Sequence, residues 1–326
     1  MATKDMSATL DDRQGRRQSG FDAVLIAGPT ASGKSALALA LADALDGVIV
    51  NADSMQLYRD LSIVTARPPA EDLVRAPHRF YGNLPASDPF STGDWLRLVE
   101  RELQDITALG KQPIFVGGTG LYFKALTEGF AELPDIDPGV RSRCRSLAEE
   151  GGIEAVRQAL REKDPDAADE LKDLQRLTRA LEVVLSTGRT LADWQREAHG
   201  EPLLPAASCL RLVLAPPRAW LHERIALRAR QMLDCGGVDE VRTLLQLDLP
   251  TSLPAMRAIG VKEIKALLEG EIDREEAERR LTVATRQYAK RQETWFRNQM
   301  ADWERLDPST KRADEMARGI AERFVR

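Results

Sequence analysis

The sequence carries one segment with the spacing of a phosphate-binding loop. The pattern G-x4-G-K-[ST] is matched by Gly28-Pro29-Thr30-Ala31-Ser32-Gly33-Lys34-Ser35, between a short apolar run and a helical pattern. Glycine lets the backbone curl so that successive N–H groups point at phosphate oxygens, and the helix N-terminus adds partial positive charge. Lys34 supplies a full charge, and the hydroxyl of Ser35 can ligate Mg²⁺. The pattern predicts a ligand with a diphosphate group without identifying it as ATP; a chance strand-to-helix turn is the alternative.

Two more polar segments follow predicted strands and should meet this loop. They are Asn51-Ala52-Asp53-Ser54-Met55-Gln56 and Gly117-Gly118-Thr119-Gly120. Ligands of open α/β sheets bind beyond the carboxyl ends of the strands, so we expect Asp53 to face the loop and Thr119 to place its hydroxyl near Asp53. A carboxylate there is a candidate general base or metal ligand, and the alternative is a helix N-cap. The glycines allow close approach of a substrate, and they are equally typical of a tight turn.

Basic residues form two helical faces. Arg224 and Arg228 are spaced i, i+4 and share one face of a predicted helix, where they either clamp a diphosphate or are solvated. A second face, on the longest predicted helix, comprises Arg286, Lys290 and Arg297. Because Trp295 and Phe296 lie within that stretch, it suits nucleic acid, although such aromatic residues are also typical core anchors.

Length and composition describe a globular chain. The 326 residues are 43% hydrophobic and 30% charged, which excludes disorder for most of the chain and predicts roughly two domains. The 46 Lys and Arg residues against 51 Asp and Glu residues give a net charge of −5. This charge argues only weakly against a nucleic-acid partner, because an electrostatic footprint is local.

Three observations predict a cytoplasmic protein that does not enter a membrane. The longest uninterrupted apolar stretch, residues 36–42, is far shorter than the ~20 residues that span a bilayer. Residues 1–20 are polar and lack the apolar core of a secretory signal. Cys144, Cys209 and Cys235 lie far apart without a CxxC pair, which argues against a disulfide framework or a zinc site and fits a reducing compartment.

Strand and helix patterns alternate along the first part of the chain. Apolar runs predict buried strands at residues 23–27, 48–50, 113–116 and 210–215. Helical patterns lie between them, and one of these begins with a capping box at Ser91 and runs to about Leu109. The alternation predicts an α/β fold with a parallel sheet and crossover helices. We expect a flexible tail over 1–20, a core over 21–140 and 210–326 with a helical C-terminal part, and a helical insertion over 141–209.

Taken together, the segments resemble the tRNA dimethylallyltransferases, also called tRNA isopentenyl transferases, of bacterial type. In chain order they read GPTASGKS, NADSMQLYRDLSIVTARP, PHRF, PIFVGGTGLYFKAL, QRLTRALEV, RIALRARQML, MRAIGVKEI and ATRQYAKRQETWFR. A kinase would share only the first. The resemblance implies a P-loop kinase-like core with helices on both faces of a parallel sheet. It also implies transfer of a dimethylallyl group from dimethylallyl diphosphate to N6 of the adenosine next to the tRNA anticodon, with release of pyrophosphate.

The resemblance also implies roles for individual residues. Asp53 would be the base, Thr119 would orient it, and Arg228 would face a diphosphate that loop 28–35 and Arg224 hold with Mg²⁺ at Ser35. The insertion would clasp the anticodon stem-loop, and we expect a monomer. Positions that match tRNA-contact segments are Asp53, Ser54, Met55, Gln56, Thr119, Arg141, Gln175, Arg176, Leu177, Thr178, Arg179, Arg257, Ala258, Ile259, Gly260, Val261, Lys262, Lys290, Arg291, Gln292, Glu293, Thr294, Trp295, Phe296 and Arg297.

Two other functions are compatible with parts of the pattern. A small-molecule kinase of the same fold would turn over ATP and would need no basic insertion. The third predicted strand does not end in Asp, where many P-loop NTPases carry the acid that holds Mg²⁺, and this counts against an ordinary ATPase. A non-catalytic RNA-binding protein would bind tRNA without forming a product, but the intact loop, Asp53 and Thr119 argue against it.

Overall fold

The core of the chain is one parallel sheet, described by a computed structural model for residues 21–130, 135–197 and 200–324. The predicted tail over residues 1–20 lies outside these ranges. Within them, six strands pair in the order β3-β2-β4-β1-β5-β6, and every pair is parallel. The strands are β1 (Ala23–Ala27), β2 (Gly47–Asn51), β3 (His78–Arg79), β4 (Gln112–Gly117), β5 (Cys209–Leu214) and β6 (Glu304–Leu306). The four predicted strands are confirmed as β1, β2, β4 and β5.

Helices make up most of the remainder. They are α1 (Lys34–Leu45), α2 (Ala70–Arg75), α3 (Thr92–Ala108), α4 (Gly120–Glu128), α5 (Pro138–Arg161), α6 (Pro165–Glu170), α7 (Leu174–Thr187), α8 (Leu191–Glu197), α9 (Arg218–Asp234), α10 (Gly237–Leu245), α11 (Val261–Leu268), α12 (Arg274–Gln299) and α13 (Ala313–Ala321). The helical pattern after the phosphate-binding loop, the predicted helix that begins at Ser91 and the longest predicted helix are confirmed as α1, α3 and α12. In the described ranges, no helix has the length and apolarity needed to cross a membrane.

Alternating side chains of the strands build two hydrophobic layers, one on each face of the sheet. Leu25, Val50 and Phe115 pack on one face with α3, α4 and the end of α12. Ile26 and Ile114 pack on the other face with α1 and α13. Burial on both faces explains why the strands read as continuous apolar runs. The predicted α/β fold with helices on both faces is therefore confirmed.

Two strands have no counterpart in the sequence prediction. β3 is only two residues long and its side chains are half-buried, while β6 begins with the exposed residues Glu304 and Arg305. Both lie at the edges of the sheet, where one flank is unpaired and little apolar surface is buried. Neither strand therefore carries the apolar run that marks a central strand.

The chain divides into two compact units, of which the second spans residues 128–202. This unit has its own core, formed by α5, α6 and α7 around Val156, Leu160 and Leu181. Its range differs from the 141–209 expected for the insertion. Residues 203–208 fall in the first unit, since the N–H of Leu204 donates to the carbonyl of Leu126 (3.1 Å) and the Leu204 side chain joins the core beneath the sheet.

Helix α3 begins with the predicted capping box. The hydroxyl of Ser91 accepts from the N–H of Asp94 (3.1 Å), and the Asp94 carboxylate accepts from the N–H of Ser91 (2.9 Å). We expect Ser91→Ala to lower the free energy of unfolding by about 1 kcal/mol, because one N–H of the first turn loses its acceptor. Urea unfolding would measure this, with Ser91→Thr as the control that keeps the hydroxyl. An unchanged midpoint for Ser91→Ala would assign the cap to Asp94 alone.

Candidate active site

The segment between β1 and α1 folds as a closed loop around its own lysine. Ala31 and Gly33 adopt positive φ angles of 63° and 89°, which turn the backbone so that the loop curls. The Nζ of Lys34 donates to the carbonyl of Pro29 (2.7 Å). The hydroxyl of Ser32 is buried and has no hydrogen-bond partner within the described part of the chain. The loop thus presents a cation and an unused hydroxyl to a ligand rich in acceptor oxygens.

Two half-buried cations, Lys34 and Arg228, and the carboxylate of Asp53 dominate the electrostatics. Burial lowers the pKa of Lys34 to about 8, the nearby Asp53 opposes this shift, and Arg228 adds to it. Burial also lowers the pKa of Arg228, again opposed by Asp53. Buried charges that lack full compensation favour a bound ion of opposite sign. A polyanionic ligand in the loop would supply that compensation.

The turn after β2 holds Asp53 in place. The buried Asn51 side chain accepts from the N–H of Asp53 (2.8 Å) and donates to the carbonyls of Asp53 and Phe80 (both 2.9 Å). The carbonyl of Asn51 in turn accepts from the indole N–H of Trp95 (2.9 Å). One carboxylate oxygen of Asp53, Oδ1, accepts from the N–H of Met55 (3.1 Å). Asp53 is therefore not the N-cap of the short helix Met55–Leu57, which is Ser54, and its Oδ1 instead closes the turn. Its Oδ2 faces Gly118, where an added Cβ would lie 3.3 Å from it.

Thr119 joins the turn after β4 to the turn after β2. Its N–H donates to the carbonyl of Ala52 (3.2 Å), and its hydroxyl accepts from the N–H of Ser54 (3.0 Å). Thr119 thus holds the residue that follows Asp53 rather than the carboxylate itself. A Cβ at Gly117 would collide with the carbonyl of Ala52, so this glycine allows two backbone turns to approach each other.

The two arginines on α9 both reach the loop. The guanidinium of Arg228 donates to the hydroxyl of Thr30 (2.8 Å) and to the carbonyl of Val64 (3.5 Å). The Nε of Arg224 donates to the carbonyl of Ala31 (2.9 Å). Of the two alternatives from the sequence, the structure favours an arginine pair directed at the loop over a pair directed only at solvent.

The predicted tRNA-contact residues on helix α12 fall into two sets, one buried and one beside a groove. Gln292 and Phe296 are buried in the first unit. The other face lines a groove of about 490 Å³ formed by Gln287, Lys290, Arg291, Thr294, Trp295, Asn298 and Gln299. Glu293 is half-buried and Arg297 is exposed. A groove with two cations beside an indole suits a nucleic-acid strand, because phosphates and bases can both be contacted there.

The other predicted tRNA positions also divide between surface and core. Gln56 donates to the carbonyls of Thr65 and Ala66 (both 2.9 Å) and so holds a neighbouring loop. Within 257–262, Arg257 and Lys262 are exposed, Ile259 is half-buried, and Ala258, Gly260 and Val261 are buried. In the second unit, Arg141, Gln175 and Arg176 are exposed, Thr178 and Arg179 are half-buried, and Leu177 lies in the core.

Sequence reasoning gave no role to two residues that shape this site. Asn51 ends a buried strand as a polar residue, which is a signal that could have marked it. Glu240 on α10 accepts from the N–H groups of Ser62 (2.5 Å), Ile63 (2.9 Å) and Val64 (2.8 Å), which fixes the loop whose carbonyl meets Arg228. Nothing in the sequence pattern connects Glu240 with a loop about 180 residues earlier.

Known proteins share both the sequence and the fold of this chain. A family model described as IPP transferase matches residues 56–299, and one described as isopentenyl transferase matches residues 21–84. The chain is 57% identical over 289 residues to the tRNA dimethylallyltransferase of Chelativorans sp. (strain BNC1), covering 87% of this chain and 98% of that protein. The chain belongs to the tRNA dimethylallyltransferase family. A second relative, from Allorhizobium ampelinum, is 49% identical, and the match covers 94% of this chain and all of that protein.

Solved structures of tRNA dimethylallyltransferases and isopentenyl transferases have the same fold. The tRNA isopentenylpyrophosphate transferase from Bacillus halodurans superposes with a TM-score of 0.66 at 32% identity, covering 93% of this chain and 97% of that chain. A eukaryotic dimethylallyltransferase acting on tRNA superposes with a TM-score of 0.73 at 27% identity, over 87% and 73% of the two chains. The resemblance inferred from the eight sequence segments is therefore confirmed at the level of family and fold.

Proposed function

We propose that this transferase moves a dimethylallyl group from dimethylallyl diphosphate to N6 of the adenosine next to the tRNA anticodon and releases pyrophosphate. The names and similarity of its relatives support tRNA as the acceptor and do not favour the small-molecule kinase.

One observation carries the proposal: groups suited to both halves of the reaction lie together in one half-buried cluster. Lys34 and Arg228 are the cations at the phosphate loop, and each feels the charge of Asp53. A leaving pyrophosphate gains negative charge, which fixed cations and loop N–H groups stabilise. An attacking exocyclic amine loses a proton, which a carboxylate accepts.

In the proposed step, bonds, electrons and protons balance without any further protein group. The N6 nitrogen forms a bond to the first carbon of the dimethylallyl group as the bond from that carbon to the diphosphate oxygen breaks. The electron pair leaves with pyrophosphate, and the N6 proton passes to the Asp53 carboxylate. Asn51 and Thr119 support the step by holding the turn that carries Asp53. Since the lone pair of an aromatic amine is delocalised, removal of the proton during attack contributes ~10²–10⁴-fold to the rate.

The loop also suits a Mg²⁺ ion bound together with the diphosphate. The hydroxyl of Ser35 is exposed at the start of α1, and the buried hydroxyl of Ser32 lacks a partner among the described residues. In the same residues, no cluster of three or more His, Cys, Asp or Glu side chains is arranged to hold a metal. Mg²⁺ commonly takes most of its ligands from substrate phosphates and water, so Ser35 would be its protein ligand. When bound, the ion would neutralise charge on the departing pyrophosphate.

A labelling experiment tests the proposal. Purified protein would receive unmodified tRNA, radiolabelled dimethylallyl diphosphate and Mg²⁺, and a parallel sample would receive ATP with candidate small acceptors. Label in the tRNA, without ADP in the parallel sample, is the expected result. ADP formed with a small acceptor, and no label in tRNA, would assign the loop to a kinase. Binding of tRNA without any product would favour the non-catalytic alternative.

The lowered pKa of Lys34 predicts how donor binding depends on pH. With a pKa of about 8 in the free protein, Lys34 loses its charge as the pH rises through that value. A diphosphate binds the protonated form better, so affinity for dimethylallyl diphosphate should be highest below pH 8 and should decline between pH 8 and about 10. Calorimetric titration without tRNA would measure this. Lys34→Arg should abolish the decline, and an equal decline in that variant would assign the titration to another group.

Arg176 in the second unit provides a test of the tRNA path. It is exposed at the start of α7 and lies in a segment that the family resemblance assigns to tRNA. Arg176→Glu should weaken tRNA binding and lower the slope of log affinity against log salt by about 1, because one phosphate contact is lost. Arg318→Glu on α13 makes the same charge change at another exposed arginine and serves as the control. Equal slopes for both variants and the unaltered protein would place the tRNA elsewhere.

A further inference from the structure

Gln292 connects the phosphate loop to the turn after β4. Its Oε1 accepts from the N–H of Thr30 (2.8 Å), and its Nε2 donates to the carbonyl of Gly118 (3.0 Å). The side chain is only 5% exposed, so neither contact competes with bulk water. The family resemblance matches this residue to a tRNA-contact segment, and the structure directs its side chain to the phosphate loop and Gly118.

The same amide lies beside the candidate base. A Cβ at Gly118 would collide with Nε2 of Gln292 and would come within 3.3 Å of Oδ2 of Asp53. Both atoms therefore border the same small volume next to residue 118. The Gln292 side chain therefore lies between the phosphate loop, which would hold the donor, and the candidate base Asp53.

Thr30 is held from two sides. Gln292 accepts its N–H, and Arg228 donates to its hydroxyl (2.8 Å). On the other side of the bridge, Gly118 precedes Thr119, whose hydroxyl accepts from the N–H of Ser54 (3.0 Å). A continuous path of short hydrogen bonds and adjacent residues thus runs from the loop to the turn that carries Asp53.

We propose that Gln292 is a positioning residue which sets the distance between the diphosphate in the loop and the amine at Asp53. This inference rests on the proposed function. A single side chain that bridges two loops, each the strand-to-helix connection of a different strand, limits their independent movement. Transfer between two bound substrates is sensitive to such limits, since a misplacement of about 1 Å can cost ~10²-fold in rate.

Positioning predicts a loss in turnover and in fidelity, with binding preserved. In Gln292→Met, which is of similar length but makes neither hydrogen bond, we expect kcat to fall by ~10-fold or more. The dissociation constants for dimethylallyl diphosphate and for tRNA should each stay within about threefold, since the loop cations remain. Water would then compete with the amine for the dimethylallyl carbon, giving dimethylallyl alcohol and pyrophosphate. Pyrophosphate released per label fixed in tRNA should therefore rise above the ratio of the unaltered enzyme.

Two further variants keep the test decisive. Gln292→Asn retains an amide but is one methylene shorter, so it can satisfy one partner and not both, and it should show the same defects even if the methionine variant fails to fold. Gln231→Met changes an exposed glutamine on α9 and should match the unaltered enzyme. Turnover and product ratio unchanged in a folded Gln292 variant would overturn the inference, as would a loss confined to donor affinity. Absence of transfer by the unaltered enzyme would instead overturn the proposed function.

Discussion

Replacing Asp53 by asparagine is expected to lower turnover by ~10²-fold or more while tRNA affinity stays within a few-fold. Asparagine retains an oxygen that can accept from the N–H of Met55, so the turn after β2 should keep its shape. What it removes is the carboxylate that would accept the proton of the attacking amine. Single-turnover label transfer, together with filter binding of tRNA, separates loss of the chemical step from loss of binding.

The matched control for this variant is Asp105→Asn, an equal charge change at an exposed position of α3. That variant should transfer label at the rate of the unaltered enzyme. Turnover of Asp53→Asn within about threefold of the unaltered enzyme would remove Asp53 as the base. A parallel loss of tRNA affinity would show that the turn, and not the proton transfer, had been damaged.

The second large effect is expected for Arg228→Lys, with a loss of ~10²–10³-fold in kcat/KM for dimethylallyl diphosphate. The guanidinium of Arg228 donates to both Thr30 and Val64, and its planar fork leaves donors for a ligand in the same site. An ammonium group keeps the charge but cannot maintain both contacts and also face the diphosphate. Steady-state kinetics with saturating tRNA would measure the loss.

Arg230→Lys, two residues further along α9, is the control for this substitution. Arg230 is exposed and pairs with Glu278, so the exchange should leave kcat/KM unchanged. A similar small effect for both variants would mean that Arg228 stabilises the loop without contributing to the departure of pyrophosphate. Equal losses in both would indicate a general effect of altering α9.

The parts of the molecule that could be predicted from sequence are those where local pattern and tertiary environment agree. The central strands are buried on both faces and so read as apolar runs, and the loop after β1 has a pattern set by the curvature of its own backbone. Helix α3 carries its capping box in its own first turn. In each case the physical cause lies within a few residues of the signal.

The remaining features depend on contacts between distant segments. Gln292 is 262 residues from its partner Thr30. Its charged neighbours along the helix indicate a surface residue, and only the tertiary structure shows that its side chain is directed inward. The spacing predicts that the Thr119 hydroxyl lies near Asp53, but its partner, the N–H of Ser54, follows from the close approach of the backbones after β2 and β4. Such pairings depend on the tertiary fold, so the spacing of residues in one sequence does not predict them.

The most direct test of the account is to identify the nucleoside that carries the label. After reaction with radiolabelled dimethylallyl diphosphate, the tRNA would be digested to nucleosides, separated and compared with N6-dimethylallyladenosine, while released pyrophosphate is measured in the same sample. The proposed function predicts label only in that nucleoside, with one pyrophosphate per label. Label in another nucleoside, or pyrophosphate released without labelled tRNA, would contradict it.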